Sequence, residues 1–532
     1  MGIPTLLIVG VALLAAGCTR ESPPCEKCGT IVVAAVVEPT ALFPPLVSET
    51  VGRDIGDQVF ERLADLAPGG APIDSTAYQP RLASRWERLD SITWRFHLRP
   101  DARWQDGKRV TPEDVRFSFD AFTDSELDSP ARSYLEGRVT VVPEDSATFL
   151  IRFKSASPEQ LYDATYHVRV LPSHLWASRP KSTWAADTSV ANLVGSGPYR
   201  ITAWRRGQFV SLEADTTGAK PPAIHRVIWR FAPDPEAALN LVLSHEADLL
   251  ETVGSPERAK RVAADSTLRL VPYPAAVYGY LGFKIAADRP HPVFSDRATR
   301  RGLAAAIDRR TLARSLFGPD AKAPPGPMSQ LLWIWNDSIV TIPFDTTKAD
   351  SALEAARWHL AADGKTRTRA GAPLSFDILV PSSSSGRRQL ALQMQEMWRR
   401  VGVTATVTAV DFPVFQQRLA RGKFDSYVSA WLDEPSPRSL ADYWTRAGWG
   451  SVNYGHYANP HFDSLFDRAS RALDVASARR LYRDAMDTLN ADAPGIFLYA
   501  PANIAVVSRR IEGVDINPYS WASGLPAWRV VR

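Results

Sequence analysis

Apolar and polar side chains alternate strictly over residues 94–98: Trp94, Phe96 and Leu98 share one face, Arg95 and His97 the other. A period of two predicts a strand with one face buried. Asp106-Gly107 follows between Trp104 and Val110 and predicts a tight turn, because glycine tolerates the positive φ such turns need. Thr111-Pro112-Glu113-Asp114 then marks a helix start. Thr111 suits the N-cap, Pro112 the first helical position, and Asp114 the reciprocal capping position near the positive helix end. Val115, Phe119 and Phe122 give that helix its apolar stripe.

Patterning elsewhere predicts mixed α and β structure. Residues 31–37 form a continuous apolar run, as in a strand buried on both faces. Residues 139–142 and 148–153 read as a hairpin around Pro143-Glu144-Asp145, and residues 199–204 and 208–212 as another around Arg205-Arg206-Gly207. Residues 237–250 read as helix, turn and strand, with His245 at the helix end. Leu303, Ala306 and Ile307 give the 300–309 helix a packing face. From residue 375 the order is strand, helix, strand, helix, with Leu390, Met394, Met397 and Val401 marking a helix stopped at Gly402. That order implies a parallel or mixed sheet with helices on its faces. Helices over 459–471 and 476–490 and strands over 496–500 and 504–507 close the chain.

Composition adds constraints. The chain is 532 residues long, which favours more than one domain. Its net charge of +4 is spread without a basic block, which gives nucleic-acid binding no support. Sixteen Trp supply large apolar faces able to wall a cleft, though most are expected in the core. Residues 1–17 carry no charged side chain, and their apolar run is shorter than the ~20 residues of a membrane span. They read as a signal peptide. Ala15-Ala16-Gly17-Cys18 resembles a bacterial lipobox, which makes Cys18 the expected lipidation site and residues 18–29 a tether. Cys25 and Cys28 could form a local disulfide in an oxidising compartment. One CxxC supplies only two of the four ligands of a tetrahedral metal site.

The 94–120 stretch resembles the segment of family 5 extracellular solute-binding proteins that runs W-x-F-x-L-R-x-x-x-x-W-x-D-G-x-x-x-T-x-E-D-V-x-F-S. Those are the peptide-binding subunits of bacterial ATP-binding-cassette (ABC) importers. Gly195-Ser196-Gly197-Pro198-Tyr199 is similar to the family's Gly-Thr-Gly-Pro-Tyr turn, and Arg300 falls on an Arg that members place on this helix. The family usually has Gly where His245 stands. The resemblance implies an α/β, two-lobed periplasmic-binding-protein fold of type II, in the large cluster with an extra domain. Mixed sheets with flanking helices are expected, with a hinge between the lobes. Residues 30–55, 190–275 and 505–532 would form lobe I, 56–189 the extra domain inserted in it, and 276–504 lobe II.

The resemblance also suggests ligand contacts. Trp431-Leu432-Asp433-Glu434-Pro435 resembles the loop where peptide-binding members face the ligand's amino terminus with a Trp and an acid. A desolvated α-ammonium needs an anionic partner, and an aromatic wall favours a cation. Either Asp433 or Glu434 could take that role, and counting from Trp431 favours Glu434. Trp444, Asn453 and Tyr454 are second-rank cleft candidates. No residue is assigned to the ligand's carboxylate.

Catalysis finds no motif. GxSxG, HExxH and Walker A sequences are absent, and Pro180 breaks the only SxxK match, at Ser178. The expectation is therefore a non-enzyme without metal or cofactor. It would be an exported, membrane-anchored monomer that captures a peptide-like solute and delivers it to ABC permease subunits. The alternatives are a sensor or chaperone-like lipoprotein reusing the fold, or a binder of a sugar, nickel complex or haem.

Overall fold

A computed structural model describes residues 29–218, 221–285 and 291–531. Cys18, Cys25, Cys28, the expected signal peptide and nearly all of the expected tether lie outside the described residues. Among the described residues two large sheets dominate. The first has seven strands in the order Leu268–Pro274, Ala502–Ser508, Leu249–Leu250, Thr30–Ala35, Arg226–Phe231, Phe209–Ala214, Tyr199–Arg205. The apolar Thr30–Ala35 strand lies inside it, parallel to both neighbours. Ile31 and Val33 face one core and Ala34 another, as a strand covered on both faces requires.

The second sheet has five strands in the order Thr404–Val410, Ser375–Pro381, Ser426–Leu432, Val277–Phe283, Gly495–Tyr499. The expected strand–helix–strand unit is present: Ser375–Pro381 and Thr404–Val410 pair in parallel, joined by the Ser385–Arg399 helix. Gly402, at φ 78°, turns the chain after that helix. Each sheet has its own core, and the chain crosses between the two lobes at Ala275-Ala276 and again at Ala500-Pro501.

A four-stranded antiparallel sheet precedes the second lobe, in the order Ala83–Arg88, Thr93–Leu98, Thr148–Phe153, Val139–Pro143. Its apolar face, with Phe96 and Phe149 stacked, joins the core under the seven-stranded sheet. The Pro112–Phe122 helix starts with the expected capping box, Thr111 and Asp114 bonding each other's backbone N–H. Asp114 also accepts from Ser173 N–H at 2.9 Å and Ser173 Oγ at 2.6 Å, so the cap fixes a distant loop as well.

The two family-like motifs meet. Gln105, beside the Asp106-Gly107 turn, bonds the backbone of Gly195, Gly197 and Tyr199 through its amide. The Gly-Ser-Gly-Pro-Tyr turn in turn backs onto the end of the Thr50–Val59 helix, with Gly197 N–H donating to Val59 O at 2.8 Å. A Cβ at Gly195 would lie 1.7 Å from Val59 O, so only glycine allows this approach. Both motifs therefore hold the Thr50–Val59 helix, whose polar side lines the cleft described next.

Arg300 is buried and donates to four carbonyls, those of Phe294, Ser295, Asp492 and Ala493. It ties its helix to the end of the Val475–Asp492 helix, a structural duty for this charge. His245 sits at φ 59° just past the Pro235–Leu243 helix, in the left-handed position that glycine fills at no steric cost. Among the described residues no helix is long and apolar enough to cross a membrane.

Candidate functional site

A cavity of about 300 Å³ lies where the crossing segments meet. Ala275, Ala276 and Val277 line it from one crossing and Pro501 from the other. The first lobe contributes Arg53 and Asp57 from the Thr50–Val59 helix, with Glu251 and Tyr519. Tyr134, Tyr166, His167 and Arg169 come from the segment between the four-stranded sheet and the Gly-Ser-Gly-Pro-Tyr turn or within it. Leu432, Asp433 and Glu434 come from the second lobe.

Charge is the cavity's main feature. Asp57 is held by two arginines: Arg169 at 2.7 and 2.9 Å and Arg62 at 3.2 Å. Burial works against its charge, but these cations keep its carboxyl below the usual range. Arg53 has no such partner. It bonds Thr50 Oγ1 at 3.2 Å and makes no ion pair among the described residues. Burial, with Arg438, Arg169 and Arg62 nearby, pushes His167 down to about 3, so it is neutral at physiological pH.

Asp433 and Glu434 end the Ser426–Leu432 strand at this wall. Asp433 accepts from Ser329 N–H at 2.5 Å and donates its own N–H to Ala276 O at 2.7 Å, which pins it against the crossing segment. Burial pushes its carboxyl up to about 7, with the Ser329 bonds opposing. Burial also raises Glu434, opposed by Arg438, Arg53 and a hydrogen bond from Tyr134. A carboxyl held near neutrality readily releases its proton to solvent when a cation arrives to pair with the carboxylate.

The other candidates lie behind this wall. Trp431 stacks on Tyr443 at 4.4 Å and donates its Nε1–H to Tyr280 Oη at 3.0 Å, bracing the loop. Trp444 is buried between Tyr280 and Phe497. Asn453 spends its amide on Thr445 O, Tyr457 O and Tyr457 N–H, closing its own loop. Tyr454 meets Tyr427 edge to face at 6.1 Å. The structure thus brings Asp433 and Glu434 to the cavity and keeps Trp431, Trp444, Asn453 and Tyr454 off its lining.

Arg53, Asp57, Arg169, Glu251 and Tyr519 were not expected from sequence. One signal was available for the first two. Val51, Ile55 and Val59 form an apolar stripe on their helix, which leaves Arg53 and Asp57 on other faces of a half-buried element.

A second polar cluster joins the lobes beside the cavity. Arg438 of the second lobe meets Glu159 Oε2 at 2.5 Å and Asp163 Oδ1 at 2.6 Å, both from the segment before the Gly-Ser-Gly-Pro-Tyr turn. Ser436 Oγ donates to Glu159 Oε2 at 2.6 Å. Burial raises the Glu159 carboxyl to about 6, with Arg438 opposing. Among the described residues no three His, Cys, Asp or Glu gather in a metal-ligating group.

A family model described as bacterial extracellular solute-binding proteins, family 5 Middle, matches residues 77–451. Oligopeptide-binding protein AppA of Bacillus subtilis is 22% identical over 511 residues, covering 94% of this chain and 92% of that protein. The structure of that protein in complex with a nonapeptide has a TM-score of 0.71 at 21% identity, covering 95% and 99% of the two chains. The ABC transporter substrate-binding protein CtaP of Listeria monocytogenes has a TM-score of 0.80 at 20% identity, covering 95% and 100%.

Proposed function

The chain belongs to family 5 of the bacterial extracellular solute-binding proteins, and from that premise we propose that it captures a peptide-like solute between its lobes and hands it to an ABC permease. The observation that carries this reading is the pair Asp433 and Glu434, two carboxyls set into the wall of a cavity at the lobe crossings. A peptide's α-ammonium placed there would be desolvated and needs such a partner. AppA's name and its nonapeptide complex support the same ligand class. Asp433 or Glu434 binds the ammonium. Arg53, the cavity arginine without an ion pair, is the carboxylate partner that sequence did not supply. A cavity of about 300 Å³ is at the small end for ligand sites, so a short peptide fits this reading.

The protein acts by binding and release, with no chemical step. The crossings at 275–276 and 500–501 serve as hinges on which the lobes close over the ligand. Backbone hydrogen bonds from the protein add affinity without reading side chains. Export and lipidation at Cys18 would hold the chain at the membrane as a monomer. Calorimetric titration with short peptides tests the reading. Micromolar or tighter binding of a free peptide, weakened by acetylating its amino group, supports it, and absence of binding across a varied peptide set refutes it.

A further inference from the structure

The Thr50–Val59 helix carries two glycines among the cavity-lining residues, Gly52 and Gly56. A glycine inside a helix needs a reason, because only proline is a poorer helix former. Gly52 has one. A Cβ there would lie 2.8 Å from Val47 Cγ1 and 3.1 Å from Pro39 Cβ, so its bareness lets the preceding loop pack on the helix. Gly56 has no such reason inside the protein. Its φ is not positive, and its carbonyl accepts from Phe60 N–H at 2.8 Å, as in any helix. The residue is buried, yet a Cβ on it would meet nothing within 4 Å. That open space is the cavity. The other α-helical glycines among the described residues differ: a Cβ at Gly302 would meet Leu353 at 2.9 Å, and one at Gly386 would meet Phe317 at 3.7 Å.

Resting on the assignment of Arg53 to the ligand's carboxylate, we propose that Gly56 is the floor of a subsite for the carboxyl-terminal side chain of a peptide, and that this subsite takes an apolar residue. Arg53 and Gly56 stand three apart and are neighbours on the helix surface, so a residue whose carboxylate meets Arg53 lies over Gly56. The helix at Gly56 keeps its backbone bonds to itself and offers only close van der Waals contact. Val47, packed on Gly52 one turn away, also lines the cavity and gives the subsite an apolar side. A side chain grown on Gly56 would occupy the space that the ligand's side chain needs.

The test is calorimetry on the full chain with tripeptides in sets of three that share their first two residues and end in Gly, Ala or Leu. In sets that bind, the wild type should hold the Leu member more tightly than the Gly member. Gly56→Leu should weaken the Leu member by about tenfold or more and reverse that order, because overfilling a packed site is costly. Gly56→Ala should shift the order the same way by less. Both residues are better helix formers than glycine, so Gly56→Ala should melt at or above the wild-type temperature while binding the Leu member less tightly. A glycine that served the fold alone would not split stability and affinity in this way. Wild-type affinities in both variants, an equal loss across all three members, or a lower melting temperature in Gly56→Ala would each overturn the subsite and leave the peptide reading intact. Silence of the wild type across every set would remove the peptide reading itself, and the subsite with it.

Discussion

Replacing Arg438 with methionine probes lobe closure without touching the cavity wall. In the structure Arg438 pairs Glu159 and Asp163 across the lobes, and those side chains are 3% and 10% exposed. Arg438→Met leaves both carboxylates buried without a cation. Removing one partner of a buried pair costs roughly 3–5 kcal/mol, and proton uptake by Glu159 caps the loss nearer ~2–3 kcal/mol here. When the lobes part, water solvates the same carboxylates, so the penalty falls on the closed state alone. Ligand affinity should therefore drop by roughly 30- to 100-fold, since ~1.4 kcal/mol is a factor of ten. The pH dependence has a definite sign. Both carboxyls are raised by burial, so protonation favours the closed state, and the defect should shrink as pH falls from about 6 towards about 4.5. Calorimetry with one bound peptide reads all of this. Adding Glu159→Gln and Asp163→Asn to Arg438→Met should recover most of the affinity. Wild-type binding by the single variant, or no recovery in the triple variant, would refute the clamp.

Other outcomes follow from the same geometry. Glu434→Gln should weaken binding of a free peptide by at least about tenfold, because an ammonium would lose its carboxylate; Asp433→Asn is the comparison, and wild-type affinity in both would remove this loop from the site. If Asp433, held near 7, is the ammonium's partner, binding just below neutral pH releases its proton. Apparent affinity then rises with pH up to about 7 and levels off, and binding heats change with the buffer's ionisation enthalpy; buffer-independent heats would exclude that role. Cys18→Ser should release the protein from membranes or block its processing; unchanged membrane partition and unchanged mature mass would defeat the lipoprotein reading.

Much of the fold is written in local signals. The 94–98 alternation, the Gly107 turn at φ 88° and the Thr111–Asp114 box need no distant partner to work, so the amino-acid order alone makes them legible. The Ser375–Pro381, Ser385–Arg399 and Thr404–Val410 unit is legible for the same reason. The site is different. Asp433 and Glu434 could be found because the loop motif carries them together. Arg53 and Glu251 belong to separate segments, the Thr50–Val59 helix and the chain just past Leu249–Leu250, that reach one cavity only in the folded chain. Arg438 and its acids are also far apart in sequence. Trp444 and Asn453 show the converse. They neighbour the acidic loop in sequence, but packing and backbone bonds use up their side chains inside the second lobe.

The central claim is that a peptide fills the cleft, and the direct measurement is mass spectrometry of the gently purified full chain before and after denaturation. The expected result is a mass excess on the native protein that disappears on unfolding, with short peptides in the released fraction. Release of a sugar, a metal complex or haem would contradict it and assign the same two-lobed fold a different cargo.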